Sequence, residues 1–275
     1  MCSRERLCFV IASNDEGVLA SCLLASPELE PGLEVSVQRG AMSAAQAHNR
    51  GLAATNAEIV VFAHQDVFLP PGWLVSFHTA LEWLQERDPQ WGVVGVYGMT
   101  HYGEARGWAY STGLGEVLGG AFSTPEPVRT LDELLLVVRR ASGLRFDERL
   151  PGFHMYGTDI CLEAEQCGLR NYVVPCFTLH NSNGLRRLPW PFWRACLHVW
   201  RTRQNCLPVQ SPCVSLTRTR FGLAKRALRS WLYASLRQQG VGRRVADPAA
   251  LYARLVRDGV VPAAWAGVDQ PSAPA

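Results

Sequence analysis

Three polar residues follow directly on an apolar run in the first quarter of the chain. Residues 59–63 read Ile-Val-Val-Phe-Ala, and His64, Gln65 and Asp66 come next. A carboxylate at the end of such a run is suited to hold a divalent cation such as Mg²⁺ or Mn²⁺, and that cation would neutralise a diphosphate. The alternative is structural, because Asp66 could cap the helix that begins near Pro71 or form a turn. These residues alone favour neither reading.

The elements that would position these residues alternate between strand and helix. The pattern predicts strands at 7–12, 33–38, 59–63 and 91–99, and helices at 16–25, 43–55 and 71–86, with Ser43 as an N-cap. Such alternation predicts a parallel sheet covered on both faces, and ligands bind beyond the carboxyl ends of its strands. Asn14 and Asp15 follow the first strand. We therefore expect them to face the same crevice as Asp66.

The remainder of the chain is less regular. We expect loops and short strands over 100–130, a strand at 132–140, a helix at 159–168, an extended segment at 170–180, an aromatic helix after 184, a basic helix at 215–239 and a disordered tail at 266–275. The basic helix has two readings. It lies on an anionic membrane surface, or it packs on the rest of the chain or on a second copy in a homodimer.

Composition limits the class of protein. A hydrophobic fraction of 48% predicts a sizeable core, and a net charge of +3 disfavours nucleic acid as a partner. No apolar run has the length of a membrane span, and the short N-terminal run disfavours a signal peptide, so we expect a cytoplasmic protein, with membrane association left open. Nine cysteines without a CxxC pair favour free thiols in a reducing compartment. The spacings between Cys161, Cys167, Cys176 and His180 do not match the close ligand pairs of a structural zinc site, so buried thiols are the better reading.

Three ordered segments resemble the GT-A glycosyltransferases of the family-2 type. The first is "NRGLAATNAEIVVFAHQDVFLPPGWL", in which His-Gln-Asp-Val stands where the commonest form of that family has Asp-x-Asp. The second is the strand "LDELLLVVRR". The third is "FDERLPGFHMYGTDICLEAEQCGLRNYVVPCFTLHNS", which is similar to the family's acidic helix start and final histidine. Three matches in order are more specific than a lone motif.

The resemblance implies a fold and a domain layout. The fold is α/β, a GT-A mixed sheet with a C-terminal helical extension. The implied catalytic domain is 1–184, with a nucleotide-binding half over about 1–100 and an acceptor half over about 101–184, followed by the helical extension at 185–265.

The resemblance also implies roles for individual residues. Asp66 and His180 match the metal ligands. Asp159 matches the general base that takes the proton of the acceptor hydroxyl. Contacts with the nucleotide fall on Asn14, Asp15, Asn49, Gln65 and Asp66.

Weaker candidates surround this set. His154 and Tyr156 could line the sugar or acceptor pocket, or pack within their loop. Glu163, one helical turn beyond Asp159, could contact the acceptor or face water. Asn49 could brace a loop instead of contacting the nucleotide. A helix-start acid such as Asp159 could serve only to complement the helix dipole.

The implied function is transfer of a sugar from a nucleotide-sugar donor to a hydroxyl acceptor. The implied cofactor is Mn²⁺ or Mg²⁺, which stabilises the charge that builds on the leaving phosphate, and inversion at the anomeric carbon is expected. The rival is a non-catalytic GT-A module that binds a nucleotide sugar or acts as a scaffold, since His64 replaces the usual first acid. A nucleotidyltransferase ranks last, because no glycine-rich phosphate loop follows the first strand.

Overall fold

A computed structural model describes residues 6–29, 32–184, 188–234 and 242–261 of the chain. Its strands are β1 (Leu7–Ser13), β2 (Glu34–Arg39), β3 (Ile59–His64), β4 (Val67–Phe68), β5 (Val93–Gly95), β6 (Tyr97–Met99), β7 (Ala105–Ser111), β8 (Glu116–Gly119), β9 (Glu126–Val128), β10 (Thr130–Leu131), β11 (Leu135–Arg139), β12 (Asn171–Val173), β13 (Thr178–His180), β14 (Val209–Gln210) and β15 (Ser215–Leu216). Its helices are α1 (Glu16–Ser21), α2 (Ala44–Ala54), α3 (Trp73–Arg87), α4 (Tyr156–Gln166), α5 (Trp190–Thr202), α6 (Arg220–Ala234) and α7 (Pro248–Arg257). The expected mixed α/β fold is confirmed.

The central sheet has seven strands in the order β2-β1-β3-β11-β5-β12-β9. β1 pairs in parallel with β2 and with β3, as the alternation of strand and helix predicts. β11 runs antiparallel to its neighbours β3 and β5, so the sheet is mixed and not parallel throughout. No helix lies between β5 and β11. The chain instead makes an excursion through the short strands of a second sheet, and it returns in the opposite direction.

Side-chain alternation along β1 divides the core into two. Cys8 and Val10 belong to one buried cluster, with residues of α2 and α4. Phe9 and Ile11 belong to the other, with residues of α1 and α3. All four are fully buried. The expected covering of both sheet faces by helices is therefore confirmed, which explains why β1 is apolar from Leu7 to Ala12.

A second sheet, in the order β10-β6-β7-β13-β4 with β8 beside β7, contributes to the site. It also corrects the single strand expected at 91–99, which is two strands in different sheets, β5 and β6. The chain changes sheet at Val96, whose carbonyl accepts a hydrogen bond from the backbone N–H of Trp108 at 2.8 Å. Gly107, at φ +119°, lets β7 approach so closely that a Cβ would have no room.

Several helix boundaries also differ from the sequence pattern. Ser43 caps α2 as expected, accepting a hydrogen bond from the N–H of Gln46 at 3.2 Å. The helix expected at 159–168 starts earlier, at Tyr156, after Met155 takes a left-handed conformation with φ 66°. The helix expected at 16–25 ends at Ser21, and a short 3₁₀ turn follows it. The helix expected at 215–239 begins only at 220, because 215–216 form β15.

The C-terminal part of the chain packs on the rest of the protein. Helix α5 buries Phe192 and Val199 in the same cluster as β1. Helix α7 buries Leu251 and Leu255 against Trp108 of the second sheet. The tail expected at 266–275 lies outside the described residues. None of the helices in the described part of the chain combines the length and the apolar character that spanning a bilayer requires.

Candidate metal and nucleotide site

A cavity of about 520 Å³ lies at the carboxyl ends of β1 and β3. It is lined by Ala12, Ser13, Asn14, Gln38, Gly40, Ala41, Ala44, His48, Ala63, His64, Gln65, Asp66, Phe153 and Tyr156. The position is the one expected for a ligand of an open α/β sheet. It joins the two segments that the sequence pattern placed beside one crevice, the ends of the first and third strands.

His64, Asp66 and His180 converge at one end of this cavity. Their ligand atoms all lie within 4.8 Å of one another. His180 Nε2 is 3.3 Å from Asp66 Oδ1, and His64 Nδ1 is 3.9 Å from the same oxygen. Sheet pairing brings His180 there, because it lies opposite Val67 in the β13–β4 ladder. Asp66 and His180, the two metal ligands that the resemblance implied, both belong to this group. His64 is its third member.

Hydrogen bonds fix the tautomer of His64. The hydroxyl of Tyr156 donates to the carbonyl of Glu133 at 3.1 Å, so its only proton is used there. His64 Nε2 lies 2.8 Å from the same hydroxyl and must therefore donate to it. The lone pair of His64 is then on Nδ1, the nitrogen that faces Asp66. Such an outer partner is typical of a metal-binding histidine.

The three side chains of the group differ in charge. Burial opposes ionisation of Asp66, but His180, His64 and Arg244 outweigh it and hold its pKa well below the usual range. Burial lowers the pKa of His64, which keeps its imidazole neutral. Burial also disfavours the charge on His180, yet the hydrogen bond and charge of Asp66 raise its pKa above 6.5. Two imidazole nitrogens and one carboxylate are donor groups that can hold a divalent cation.

Gln65 ties the end of β3 to the loop after β1. Its Oε1 accepts from the hydroxyl of Ser13 at 2.9 Å and from the backbone N–H groups of Asn14 and Asp15 at 3.0 and 3.1 Å. Its Nε2 donates to Asn14 Oδ1 at 2.6 Å. Asp15 caps α1 by accepting from the N–H of Val18 at 3.0 Å. Asn14 and Gln65 line the cavity, whereas the carboxylate of Asp15 is used in the helix cap.

Asn49 and His48 are neighbours on α2, but their side chains have different surroundings. Asn49 exchanges hydrogen bonds with the backbone of Phe146 and donates to Glu148, so it braces that loop. His48 lines the cavity instead. It is 2% exposed, and neither ring nitrogen has a partner among the described residues. Burial lowers the pKa of His48 to about 3, so the ring is neutral and offers one donor and one acceptor.

Asp159 is buried in an ion pair. It is 1% exposed, and both of its oxygens accept from Arg203, at 2.7 and 3.1 Å. Arg203 also donates to Glu163 at 2.5 Å and to Gln166 at 2.8 Å. Neither Asp159 nor Glu163 lines the 520 Å³ cavity. The pair therefore joins α4 to the end of α5, and any role of either residue toward an acceptor stays a prediction.

Tyr156 and His154, the two residues that could contact the sugar or the acceptor substrate, differ in their relation to the cavity. Tyr156 lines it and holds His64. His154 packs edge-on against Phe192 of α5, with ring centroids 5.6 Å apart. Tyr156 therefore positions the ring of His64, whereas His154 packs against α5.

The sequence analysis did not identify Arg244, which forms an ion pair with Asp66. Its guanidinium donates to Asp66 Oδ2 at 3.1 Å. Arginine in the C-terminal extension carries no local motif, so only the three-dimensional fold identifies it. His48 was also missed, because the alanine-rich helix around it gives no signal that its ring nitrogens would lack partners among the described residues.

Removing the carboxylate of Asp159 should destabilise the protein. Asp159→Asn removes the buried counter-charge of Arg203 and leaves it the more exposed carboxylate of Glu163, so the loss should reach at most the cost of breaking a buried pair, about 3–5 kcal/mol. Urea unfolding should show that loss, and Asp159→Asn/Arg203→Met should recover part of it. Equal stability of Asp159→Asn and the unmodified protein would contradict a structural role for the pair.

Binding of Mn²⁺ should strengthen as the pH rises from 6 to 8. In the metal-free protein, the proton that Asp66 retains on His180 must leave before the nitrogen can bind a metal. Calorimetric titrations in two buffers of different ionisation enthalpy should detect release of a proton at the lower pH. Affinity that is constant over this range, with no proton released, would exclude His180 as a ligand.

The chain is similar in sequence or in structure to several known proteins. A protein of Fuscovulum blasticum, described as "ATP synthase subunits region ORF 6", is 34% identical over 139 residues, which are 49% of this chain and 55% of that protein. The match thus spans about half of that relative's length. The mannosyltransferase PcManGT from Pyrobaculum calidifontis, solved with GDP-Man and Mn²⁺, is 15% identical, with a TM-score of 0.45 over 96% of this chain and 78% of its own. TarS 1–349 of S. aureus is 12% identical, with a TM-score of 0.45 over 85% of this chain and 72% of its own.

A family model supplies the assignment. Residues 8–181 match the family described as "Glycosyltransferase like family". The match begins in β1 and ends just after His180, so it contains the whole His64–Asp66–His180 group. It also contains the first two segments on which the resemblance in the sequence depends, and all of the third except its last residue, Ser182. This chain belongs to the glycosyltransferase-like family.

Proposed function

We propose that the protein transfers a sugar from a nucleoside-diphosphate donor to a hydroxyl acceptor, with a divalent cation held by His64, Asp66 and His180. The observation that carries the proposal is the convergence of these three ligand atoms within 4.8 Å at the end of a cavity of about 520 Å³. A volume of that order suits a nucleotide-sized ligand. Family membership supports the reaction type.

The donor is expected to lie along this cavity with its diphosphate at the end that holds the metal group. Gln38 in β2 and Gly40 just after β2 line the cavity two strands away from His64 in the sheet, and Asn14 lines it after β1. These residues offer amide groups and a backbone without a side chain, which suit a base and a ribose. His48 also lines the cavity and adds a neutral imidazole.

A divalent cation held by this group would stabilise the negative charge on the departing diphosphate. The protein supplies the geometry for that ion. Tyr156 fixes the ring of His64, Gln65 fixes the loop that borders the crevice, and the β13–β4 ladder fixes His180. We favour Mn²⁺ because two of the three ligands are imidazoles.

Asp159 is the base that the resemblance proposes, with inversion at the anomeric carbon. For Asp159 to take a proton, Arg203 must release at least one of its oxygens. Glu133 is an alternative, because burial, followed by the charge of Asp132, raises its pKa to about 8, within the range useful for proton transfer near neutral pH. The backbone N–H groups of α4 at 155–157 hold its carboxyl group.

The rival function is a non-catalytic module that binds a nucleotide sugar or a partner protein. It would use the same cavity without turnover. Calorimetry with nucleotide sugars, combined with detection of the released nucleoside diphosphate, separates the two. Binding without release would support the module.

Helix α6 offers a membrane contact. It exposes Phe221 and Leu228, which are 77% and 57% exposed, beside the exposed cations Lys225 and Arg226. Apolar and cationic side chains on one helix suit the surface of an anionic bilayer. Such a contact would place a lipid-linked acceptor near the enzyme. The same face in a homodimer is the competing arrangement.

Loss of Asp66 should abolish donor turnover. Asp66→Ala removes the only anionic ligand of the group, and release of nucleoside diphosphate should fall by about 100-fold or more. Glu82→Ala, which removes an exposed carboxylate from α3, is the matched control and should keep its activity. Turnover by Asp66→Ala at the level of the control would refute the metal group.

The folded fraction of Asp159→Asn should be inactive if Asp159 is the base. Activity per folded molecule is the quantity to compare, because the same change lowers stability. Activity retained in Asp159→Asn and lost in Glu133→Gln would transfer the role to Glu133.

Binding to lipid vesicles should distinguish a membrane contact of α6 from a homodimer contact. We expect the protein to sediment with vesicles that contain phosphatidylserine and not with phosphatidylcholine alone, and Lys225→Glu/Arg226→Glu should abolish the binding. No sedimentation with either vesicle, together with a dimer in analytical ultracentrifugation that Phe221→Ser/Leu228→Ser dissociates, would assign this face to a homodimer.

A further inference from the structure

A short segment of the C-terminal extension crosses the end of the metal group. The segment 242–245 runs beside residues 181–184. Gly184 donates its N–H to the carbonyl of Gly242 at 2.9 Å, and Gly242 donates to the carbonyl of Gly113 at 3.1 Å. The side chain of Asn181, fully buried, exchanges bonds of 2.8 and 2.9 Å with the backbone of Val245. These bonds fix the backbone on both sides of Arg244.

The guanidinium of Arg244 is thereby held on Asp66. Its Nε donates to the carbonyl of Asn181 at 2.8 Å, and its Nη2 donates to Asp66 Oδ2 at 3.1 Å. The two histidines face the other oxygen, Oδ1. The Arg244 and Asp66 side chains are 27% and 14% exposed, so water screens the pair only partly. One carboxylate thus connects the metal ligands on one side with a permanent cation on the other.

The charge balance of this arrangement disfavours a metal ion by itself. Among His64, Asp66 and His180 only Asp66 is anionic, and Arg244 already neutralises it. A divalent cation that binds without a counter-anion would therefore add two positive charges beside a guanidinium. A diphosphate reverses the balance, because its oxygens can bind both the metal and the guanidinium, and charge-assisted bonds from arginine to phosphate are strong.

We infer that Arg244 makes metal binding conditional on the donor: it weakens the site for the metal alone and binds the diphosphate when both arrive together. Arg244 is then a donor-binding residue contributed by the C-terminal extension, outside the segment 8–181 that the family model covers. This inference rests on the proposed function, since it takes a nucleoside diphosphate as the ligand. It also gives the extension a role beyond packing.

Titration of Mn²⁺, followed by electron paramagnetic resonance of the free ion, tests the inference without any turnover. The probes are Mn²⁺ alone and Mn²⁺ with GDP or with UDP. In the unmodified protein we expect weak binding of Mn²⁺ alone and binding about 10-fold tighter or more with a nucleoside diphosphate. Arg244→Gln should bind Mn²⁺ alone more tightly than the unmodified protein. It should bind the nucleoside diphosphate about 10-fold less tightly at saturating Mn²⁺.

The opposite signs of the two effects separate this role from a structural one. A variant that merely loosened the segment would weaken both ligands. Arg243→Gln, which removes an exposed charge from the adjacent position, is the control and should change neither affinity. Arg244→Lys, which keeps the charge but loses the planar fork, should bind Mn²⁺ alone as weakly as the unmodified protein, and it serves as the test if Arg244→Gln does not fold.

Two failures are distinguishable. Arg244→Gln that weakens Mn²⁺ alone, or leaves both affinities unchanged, overturns the inference while the proposed function stands. An unmodified protein that binds Mn²⁺ equally with and without GDP or UDP, and binds neither nucleotide, overturns the proposed function and the inference with it.

Discussion

The pairing of β13 with β4 is the contact on which the site depends. His180 lies opposite Val67, and the backbone N–H of Asn181 donates to the carbonyl of Asp66 at 2.8 Å. These backbone bonds fix the distance between two side chains that lie far apart in the sequence. The β13–β4 ladder belongs to the second sheet, and Asp66 lies two residues after the end of β3 in the central sheet. The group His64, Asp66 and His180 therefore lies where the two sheets meet.

The same region shows how one carboxylate can serve several partners. Asp66 faces two imidazoles through one oxygen and a guanidinium through the other. Asp159, also an acid predicted to be functional, is instead saturated by Arg203. The difference lies in access, since Asp66 borders the cavity and Asp159 is almost fully buried. In this structure Asp66 is open to a ligand in the cavity, whereas both oxygens of Asp159 are held by Arg203.

Much of the local structure could be predicted from the sequence. The apolar run at 59–63 predicted strand β3. The position of Asn14 and Asp15 after the first strand placed them near the end of β3, because parallel strands end at the same edge. Ser43 was recognisable as an N-cap from its type and position. The break at Val96 was not predictable, because it depends on Gly107 of another strand, which alone allows the close approach. Arg244 and the partner of Asp159 were missed for the same reason, since contacts between remote segments leave no local pattern.

The most direct measurement is a crystal structure of the full chain grown with MnCl₂ and GDP or UDP, with anomalous data collected at the manganese edge. We predict a manganese peak bonded to His64 Nδ1, the carboxylate of Asp66 and His180 Nε2, next to the diphosphate. A manganese peak elsewhere, or a nucleotide whose phosphates lie away from Asp66 and His180, would contradict the assignment of this group as the metal site.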